Sequence, residues 1–403
     1  MTNSPASAET TRALFPWLRQ CPHLPPAEYA ELRATEPITK IRLATGMSAW
    51  VVTRHDHMRS LLTDRRASSN RADPGFPYFF PVPQEFRDNA GFLGMDPPDH
   101  TVHRTMIASA FTTRRVRSMR PQVQRKVDEC VDAMLAGDRP VDLMKALALP
   151  VPTFVIGNLL GMPEADHGIF RAATEGMLDG TSTAEQRRAG LDRLNAYFLR
   201  LIEDKEREPG DDLISELVPK YRAAGLYDRL PDLARLLLNG GHESSANMIA
   251  VGTLVLLERP GQLAELRRDP SLATNAAEEL LRYLTVADLA TPRVAIDDIE
   301  IGGVLIRKGE GIIMLGGAAN RDPEVFDQPD ELDLRRPNAD RHLAFGHGVH
   351  LCIGANLTRL ELDVVYGTLF RRIPTLRLAV PSEELSFRDG GLAYGVRELP
   401  VTW

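Results

Sequence analysis

Cys352 lies within Phe345-Gly346-His347-Gly348-Val349-His350-Leu351-Cys352-Ile353-Gly354, where the glycines let backbone crowd against something large and flat. A thiolate there accepts N–H bonds from the Gly-rich turn and gains from the positive end of a helix predicted to begin just after it. A sulfur stabilised as an anion in this way is suited to ligating iron. A cysteine taken alone is far more often an inert buried structural thiol, and it is the whole surrounding pattern that reverses the reading.

Three further groupings could do chemistry. Leu236-Leu237-Leu238-Asn239-Gly240-Gly241-His242-Glu243-Ser244-Ser245-Ala246-Asn247 sets an acid beside hydroxyls inside an apolar helical run, and such a pair can relay protons through water. Each glycine costs about 1 kcal/mol relative to alanine in a helix interior, which predicts a kink or the close approach of a bulky group. A packing contact with a neighbouring helix is the competing reading. Glu279-Leu280-Leu281-Arg282 places acid and base three apart on one helical face, a spacing more often found as a solvated surface pair. His100 and Arg104 fall one turn apart on a helix after Asp96-Pro97-Pro98-Asp99, Arg293 opens a strand region, and His350 precedes the cysteine by two. Each of these, taken singly, is an ordinary surface or core residue.

Together these motifs resemble the cytochromes P450. The family's haem loop reads Phe, two residues, Gly, three residues, Cys, one residue, Gly, and Phe345, Gly348, Cys352 and Gly354 match it, with Gly346 in the same turn. The resemblance implies that Cys352 is the axial thiolate of haem b, pushing electron density through the iron to favour O–O cleavage. It implies that Gly240, Gly241, Glu243 and Ser244 form the oxygen-binding groove of the central helix, with serine where threonine is usual. The missing methyl leaves the hydroxyl rotamer less fixed, so a looser relay that loses some reducing equivalents as peroxide is expected. Glu279 and Arg282 match the family's Glu-x-x-Arg motif, with Arg336 as its third member ahead of Arg335. His100, Arg104, Arg293 and His350 match positions that bind haem propionates in similar bacterial proteins. Carried over by position, the substrate pocket takes walls from residues 76–83 including Phe79, from 170–191 including Leu178, from Asn239, from 287–290 including Ala290, and from Leu392 and Tyr394.

The elements that must position these residues are readable in outline. Ile41, Leu43 and Ala49-Trp50-Val51-Val52 around Gly46-Met47-Ser48 predict a hairpin. The proline-rich, aromatic run from Phe76 to Pro83 predicts a covering loop. From His100 to Arg282 the spacing is helical, as in Val123, Val127, Val131, Met134 and in Leu191, Leu194, Phe198, Leu201. Between Arg293 and Met314, short apolar runs broken by Asp297-Asp298, Gly302-Gly303 and Lys308-Gly309 predict strands and turns. The implied fold is mainly α with small β-sheets, a triangular helix-rich prism holding haem between the central helix and the cysteine helix. One domain is expected over 1–403, β-rich near 35–60 and 290–320, helix-rich near 100–285 and 352–370.

A length of 403 residues suffices to bury a large cofactor. Net charge of −7 argues against nucleic acid as a main partner. Three cysteines at unrelated spacings, Cys21, Cys130 and Cys352, suggest neither a disulfide framework nor a zinc site. The start, Met1 to Thr11, lacks the features of a signal peptide, and the apolar stretch 146–162 is interrupted by Pro150 and Pro152. A cytoplasmic, unanchored monomer is the expectation.

The resemblance is closest to actinobacterial members that oxidise secondary metabolites or foreign molecules. It implies a monooxygenase inserting one oxygen atom from O2 into a C–H or C=C bond of a hydrophobic small molecule. A macrolide or other polyketide of antibiotic biosynthesis is the leading substrate class, and a xenobiotic, terpenoid or steroid the alternative. Electrons would come from NAD(P)H through ferredoxin reductase and a ferredoxin docking on the run Arg114, Arg115, Arg117, Arg120. A haem-thiolate sensor or electron carrier would need Cys352 but not Glu243 and Ser244, and a non-haem binding protein would need neither.

Overall fold

The hairpin forms as the alternation predicts. Strand β1 (Ile38–Arg42) pairs antiparallel with β2 (Ser48–Val52), and Gly46 takes the positive φ of 84° that the turn requires. The structure, a computed structural model, describes residues 14–19, 21–82, 84, 87, 90–168, 184–388 and 393–403. Further strands are β3 (Ala67–Ser68), β4 (Val141–Asp142), β5 (Arg293–Ala295), β6 (Ile299–Ile301), β7 (Val304–Ile306), β8 (Gly311–Met314), β9 (Arg377–Leu378), β10 (Phe387–Arg388), β11 (Gly395–Val396) and β12 (Pro400–Thr402). One sheet runs in the order β1-β2-β8-β5-β3, with β2 and β8 parallel and its other pairs antiparallel. Smaller sheets pair β4-β12-β9, β6-β7 and β10-β11.

Helices dominate the rest. In chain order they include α1 (Ala27–Thr35), α2 (His55–Thr63), α3 (Asp99–Ala108), α4 (Thr113–Ser118), α5 (Arg120–Ala136), α6 (Pro150–Leu160), α7 (Ala184–Arg207), α8 (Leu213–Ala223), α9 (Leu230–Leu257), α10 (Pro260–Arg268), α11 (Ala273–Leu284), α12 (Gly316–Ala319) and α13 (Ala355–Arg372). The apolar stripe foreseen on α5 is buried at Val123, Val127, Val131 and Met134. That on α7 is buried at Leu194, Phe198 and Leu201. Helix α9 is apolar nearly all round and buried from Ser245 to Leu256, as a helix surrounded by others must be. It continues through Gly240-Gly241, and at Gly241 the contact found is the competing reading, packing against a neighbouring helix. A Cβ on Gly241 would lie 3.1 Å from Ile156 of α6.

What joins the helical core to the segment before the cysteine is a buried ion network. Glu279 of α11 is fully buried and accepts from Arg282 Nε at 2.7 Å, Arg282 Nη2 at 2.8 Å and Arg336 Nε at 3.1 Å. Arg336 is therefore the third member, while Arg335 reaches outward to Glu265. The two guanidiniums also tie down backbone: Arg282 donates to the carbonyls of Asn320, Pro329 and Glu331, and Arg336 to those of Gln328 and Glu331. Burial turns the ordinary three-apart pair into one whose disruption leaves charge without a partner. Glu279→Ala should lower unfolding free energy by about 3–5 kcal/mol, read by denaturant titration, against well under 1 kcal/mol for the exposed Arg335→Ala.

Candidate active site

The cysteine loop is built by two left-handed glycines. Gly346 and Gly348 have φ of 70° and 69°, and a Cβ on Gly348 would stand 2.5 Å from the Leu62 carbonyl oxygen at the end of α2. The turn closes through Cys352 N–H donating to Phe345 O at 2.9 Å. Phe345 is held from both sides, with His342 at 5.6 Å between ring centroids and the Arg359 guanidinium 4.9 Å from its ring centre. Glu278, next to Glu279, fixes both neighbours, accepting from Arg359 Nε at 2.6 Å and lying 3.0 Å from His342 Nε2. Although burial works against it, hydrogen bonding to His342 and Arg359 holds the Glu278 carboxyl below its usual range.

Cys352 is accessible at its surface yet lies deep in the molecule, so desolvation pushes its thiol up. The N–H groups of Gly354 and Ala355, at the start of α13, and the guanidiniums of Arg104 and Arg359 pull the other way. That is the environment of a sulfur meant to be anionic once it has a cationic partner.

The four propionate candidates converge. His100 and His350 face one another with ring centroids 4.1 Å apart, and neither Nε2 has a hydrogen-bond partner among the described residues. Burial, then Arg293, His100 and Arg104, pushes His350 down to about 3. Burial lowers Arg293 to about 10, with Asp96 the nearby counter-charge. Asp96 is itself engaged by the Ser68 hydroxyl and by Ser69 N–H at 2.8 Å. Several potential cations that repel one another, with orphaned imidazole nitrogens between them, form a cradle lacking its anion. A dianionic cofactor edge supplies one. Together with the cysteine thiol and the clear space beside Gly240, where an added Cβ would meet nothing within 4 Å, the residues present fit haem.

On the facing helix, Ser244 lies one turn beyond Gly240 and its hydroxyl donates to the Gly240 carbonyl at 3.1 Å. Glu243 projects elsewhere, accepting from Arg388 Nη1 of β10 at 3.2 Å. Burial raises the Glu243 carboxyl and Arg388 opposes the rise. The acid and hydroxyl are thus neighbours in sequence that point apart by a helical step, and any relay between them needs water.

Two charged residues near this helix were not anticipated from the sequence. Arg388 is one. The other is Glu361 of α13, buried, its oxygens lacking a well-formed hydrogen bond among the described residues, with the Ser245 hydroxyl nearby. Ser245 and Thr358 link α9 to α13 beside it, their hydroxyl oxygens 3.2 Å apart. Burial pushes Glu361 up to about 8, with the Ser245 hydroxyl a lesser opposing influence.

The expected pocket walls divide. Phe79 is buried in the core around Phe15, the rings 5.7 Å apart. Tyr394 is buried and stacked on Phe387, with Arg19 4.1 Å above its ring centre. Ala290 is exposed, beside Thr291, whose methyl would lie 3.6 Å from a Cβ on Gly346 of the cysteine loop. Asn239 Oδ1 is buried and has no partner among the described residues. Leu178 and Leu392 lie outside the described residues. In the basic run, Arg115 pairs with Asp211 at 2.9 Å and Arg120 with Asp363, leaving Arg114 and Arg117 exposed.

The comparisons with known proteins agree with this geometry. The family model for cytochrome P450 matches residues 235–375, which hold both the central helix and the cysteine loop. "Vitamin D3 dihydroxylase" of Streptomyces griseolus is 47% identical over 408 residues, covering all of both chains. The crystal structure of GfsF superposes with a TM-score of 0.92 at 44% identity, covering 97% of this chain and all of that one. MycCI of Micromonospora griseorubida, a mycinamicin VIII C21 methyl hydroxylase solved with mycinamicin VIII bound, gives 0.91 at 37% identity, covering 97% and 100%. A glycine-built cysteine loop, a cradle lacking its anion and a mainly helical fold shared with these proteins define a haem-thiolate oxidoreductase. The chain belongs to the cytochrome P450 family, of the actinobacterial type, and membership implies haem and electrons from redox partners. No helix among the described residues is long and apolar enough to cross a membrane.

Glu361 gives the fold a pH dependence. Burial pushes the folded carboxyl up to about 8, above its ordinary value when exposed, so the native state binds the extra proton and unfolding releases it. Its contribution is fully present below the unfolded value and is lost as pH rises through about 8. Glu361→Gln should remove that slope, so that the variant's melting temperature gains on the parent's between pH 5 and 8.5, read by scanning calorimetry.

Proposed function

We propose that this enzyme hydroxylates or epoxidises a hydrophobic small molecule, with a macrolide or other polyketide as the leading class and a steroid, terpenoid or xenobiotic as the alternative. The observation that carries the reading is Cys352 in its N–H-lined turn, with the helix that follows it linked through Thr358 to Ser245 of α9, next to Ser244 and one turn past the clear position at Gly240. The macrolide-bound MycCI supports the first class, and the relative named for vitamin D3 supports the alternative. Haem, when bound, supplies the oxygen-activating chemistry.

The chain's own residues do the rest. Cys352 would hold the iron, while His100, Arg104, Arg293 and His350 neutralise the propionates and Phe345 and Gly346 shape the loop beneath. Ser244, anchored to the Gly240 carbonyl, keeps an oxygen lone pair free to accept from water in the groove. Glu243, raised by burial, holds a proton more readily than a surface carboxyl and returns it through water. Gly241 admits Ile156 and so lets α6 pack close behind the groove. Glu279, Arg282 and Arg336 hold the frame. Asn239, Ala290, Tyr394, Leu178 and Leu392 are assigned to the substrate walls, and Phe79 to the core behind them. Electrons would arrive from NAD(P)H through a ferredoxin on the cysteine side, where Arg114 and Arg117 are exposed and Asn356 of α13 bonds the Phe111 carbonyl. A cytoplasmic monomer of one domain fits this reading.

The Cys352→Ala variant should lose the long-wavelength absorbance band of the reduced, carbon monoxide-treated protein, and retention of that band would exclude Cys352 as ligand. Titrating the ferric protein with macrolides, other polyketides, steroids and terpenoids should give a saturable low-spin to high-spin change. Tight response to macrolides alone supports a dedicated biosynthetic enzyme. Comparable weak responses across classes favour the broad alternative.

A further inference from the structure

Arg388 reaches the central helix from the other end of the chain. It sits on β10, whose partner β11 pairs Arg388 with Gly395 and Phe387 with Val396. This two-stranded unit is rigidly placed. Tyr394 N–H donates to Val286 O at 2.7 Å, Arg397 N–H to Ser386 O at 2.8 Å, and the Phe387 and Tyr394 rings stack with an interplanar angle of 3°. Gly395 is seated so closely on α9 that a Cβ there would lie 2.0 Å from Asn247 Oδ1. Side chains of Glu243 and Asn247, one turn apart, both meet Arg388, the first at 3.2 Å and the second at a long 3.5 Å. The Arg388 guanidinium is about a quarter exposed and its Nε has no partner among the described residues, so its contacts with the helix are its principal bonds.

We propose that Arg388 is a positioning residue for the proton relay: it holds the Glu243 carboxyl at one place beside the groove. This rests on the reading of Glu243 as the relay acid. Without the cation, a mostly buried carboxyl would stay protonated and would be free to swing, because the opposing influence on its burial is Arg388. With the cation placed by the strand pair, burial and the guanidinium pull the carboxyl's proton affinity in opposite directions, and a relay acid has to give up a proton as well as regain one. His242, the neighbouring buried imidazole, is lowered to about 4 by burial and by the same guanidinium, so it stays neutral and adds no competing charge.

The test uses the haem-loaded enzyme and its Arg388→Met, Arg388→Lys, Glu243→Gln and Arg388→Met/Glu243→Gln variants. Infrared titration of the ferric protein follows the protonated carboxyl stretch, and the band missing from Glu243→Gln is that of Glu243. Its midpoint should rise by about one pH unit or more in Arg388→Met and return toward the parent's in Arg388→Lys. In turnover, Arg388→Met and Glu243→Gln should each lower product formed per NAD(P)H consumed and raise the solvent isotope effect. The double variant should be no worse than Glu243→Gln alone. An unmoved midpoint, or losses that simply add, would overturn the role of Arg388 while leaving Glu243 as the acid. Unchanged yield and isotope effect in Glu243→Gln would instead overturn the relay reading of Glu243, and the positioning role with it.

Discussion

The structure depends on one carboxylate held out of water between two guanidiniums. Glu279 has no solvent contact, and its charge is tolerable only because Arg282 and Arg336 both reach it. A hydrophobic cluster of equal volume could match such a network in stability. It could not bond at once to the carbonyls of Asn320, Gln328, Pro329 and Glu331, which belong to the otherwise irregular chain leading toward the cysteine. The network converts a long loop into a fixed support. Glu278, one residue earlier and on the next face, does the same for His342 and Arg359, which flank Phe345. Two adjacent carboxylates on α11 thus determine where Cys352 stands.

The opposite wall is positioned by packing more than by charge. Helix α9 is enclosed by α6, α13 and the C-terminal strands, and Ser245 with Thr358 links it to the helix that follows the cysteine. That link ties the helix carrying Gly240 to the helix that follows the sulfur. A reaction that depends on bringing one C–H bond to one atom needs such fixity.

Much of this was legible because it is written locally. The cysteine loop is a ten-residue pattern whose left-handed turns demand glycine, and Gly346 and Gly348 adopt them. The paired spacing of Glu279 and Arg282 is equally local, although nothing in it announces burial, and the family resemblance supplied that step. Arg388 was not legible: it lies 145 positions from Glu243, on strands of two residues too short to carry a periodic signal. Glu361 was missed for the opposite reason, since an acid amid Arg359, Leu362 and Asp363 reads as part of a solvated face. Phe79 is a wall only as carried over by position, and position does not say what its ring packs against. Its ring had a nearer apolar partner in Phe15.

The parallel pairing of β2 with β8 joins Val52 to Met314 and Ala49 to Gly311. During synthesis the hairpin therefore emerges with Ala49, Val51 and Val52 apolar and one edge open, long before its neighbour exists. At roughly 5 to 20 residues per second, the wait between them is on the order of ten to fifty seconds. The cysteine helix is made later still. The edge that β8 covers in the finished sheet thus has no partner from the chain itself throughout the making of the helical core.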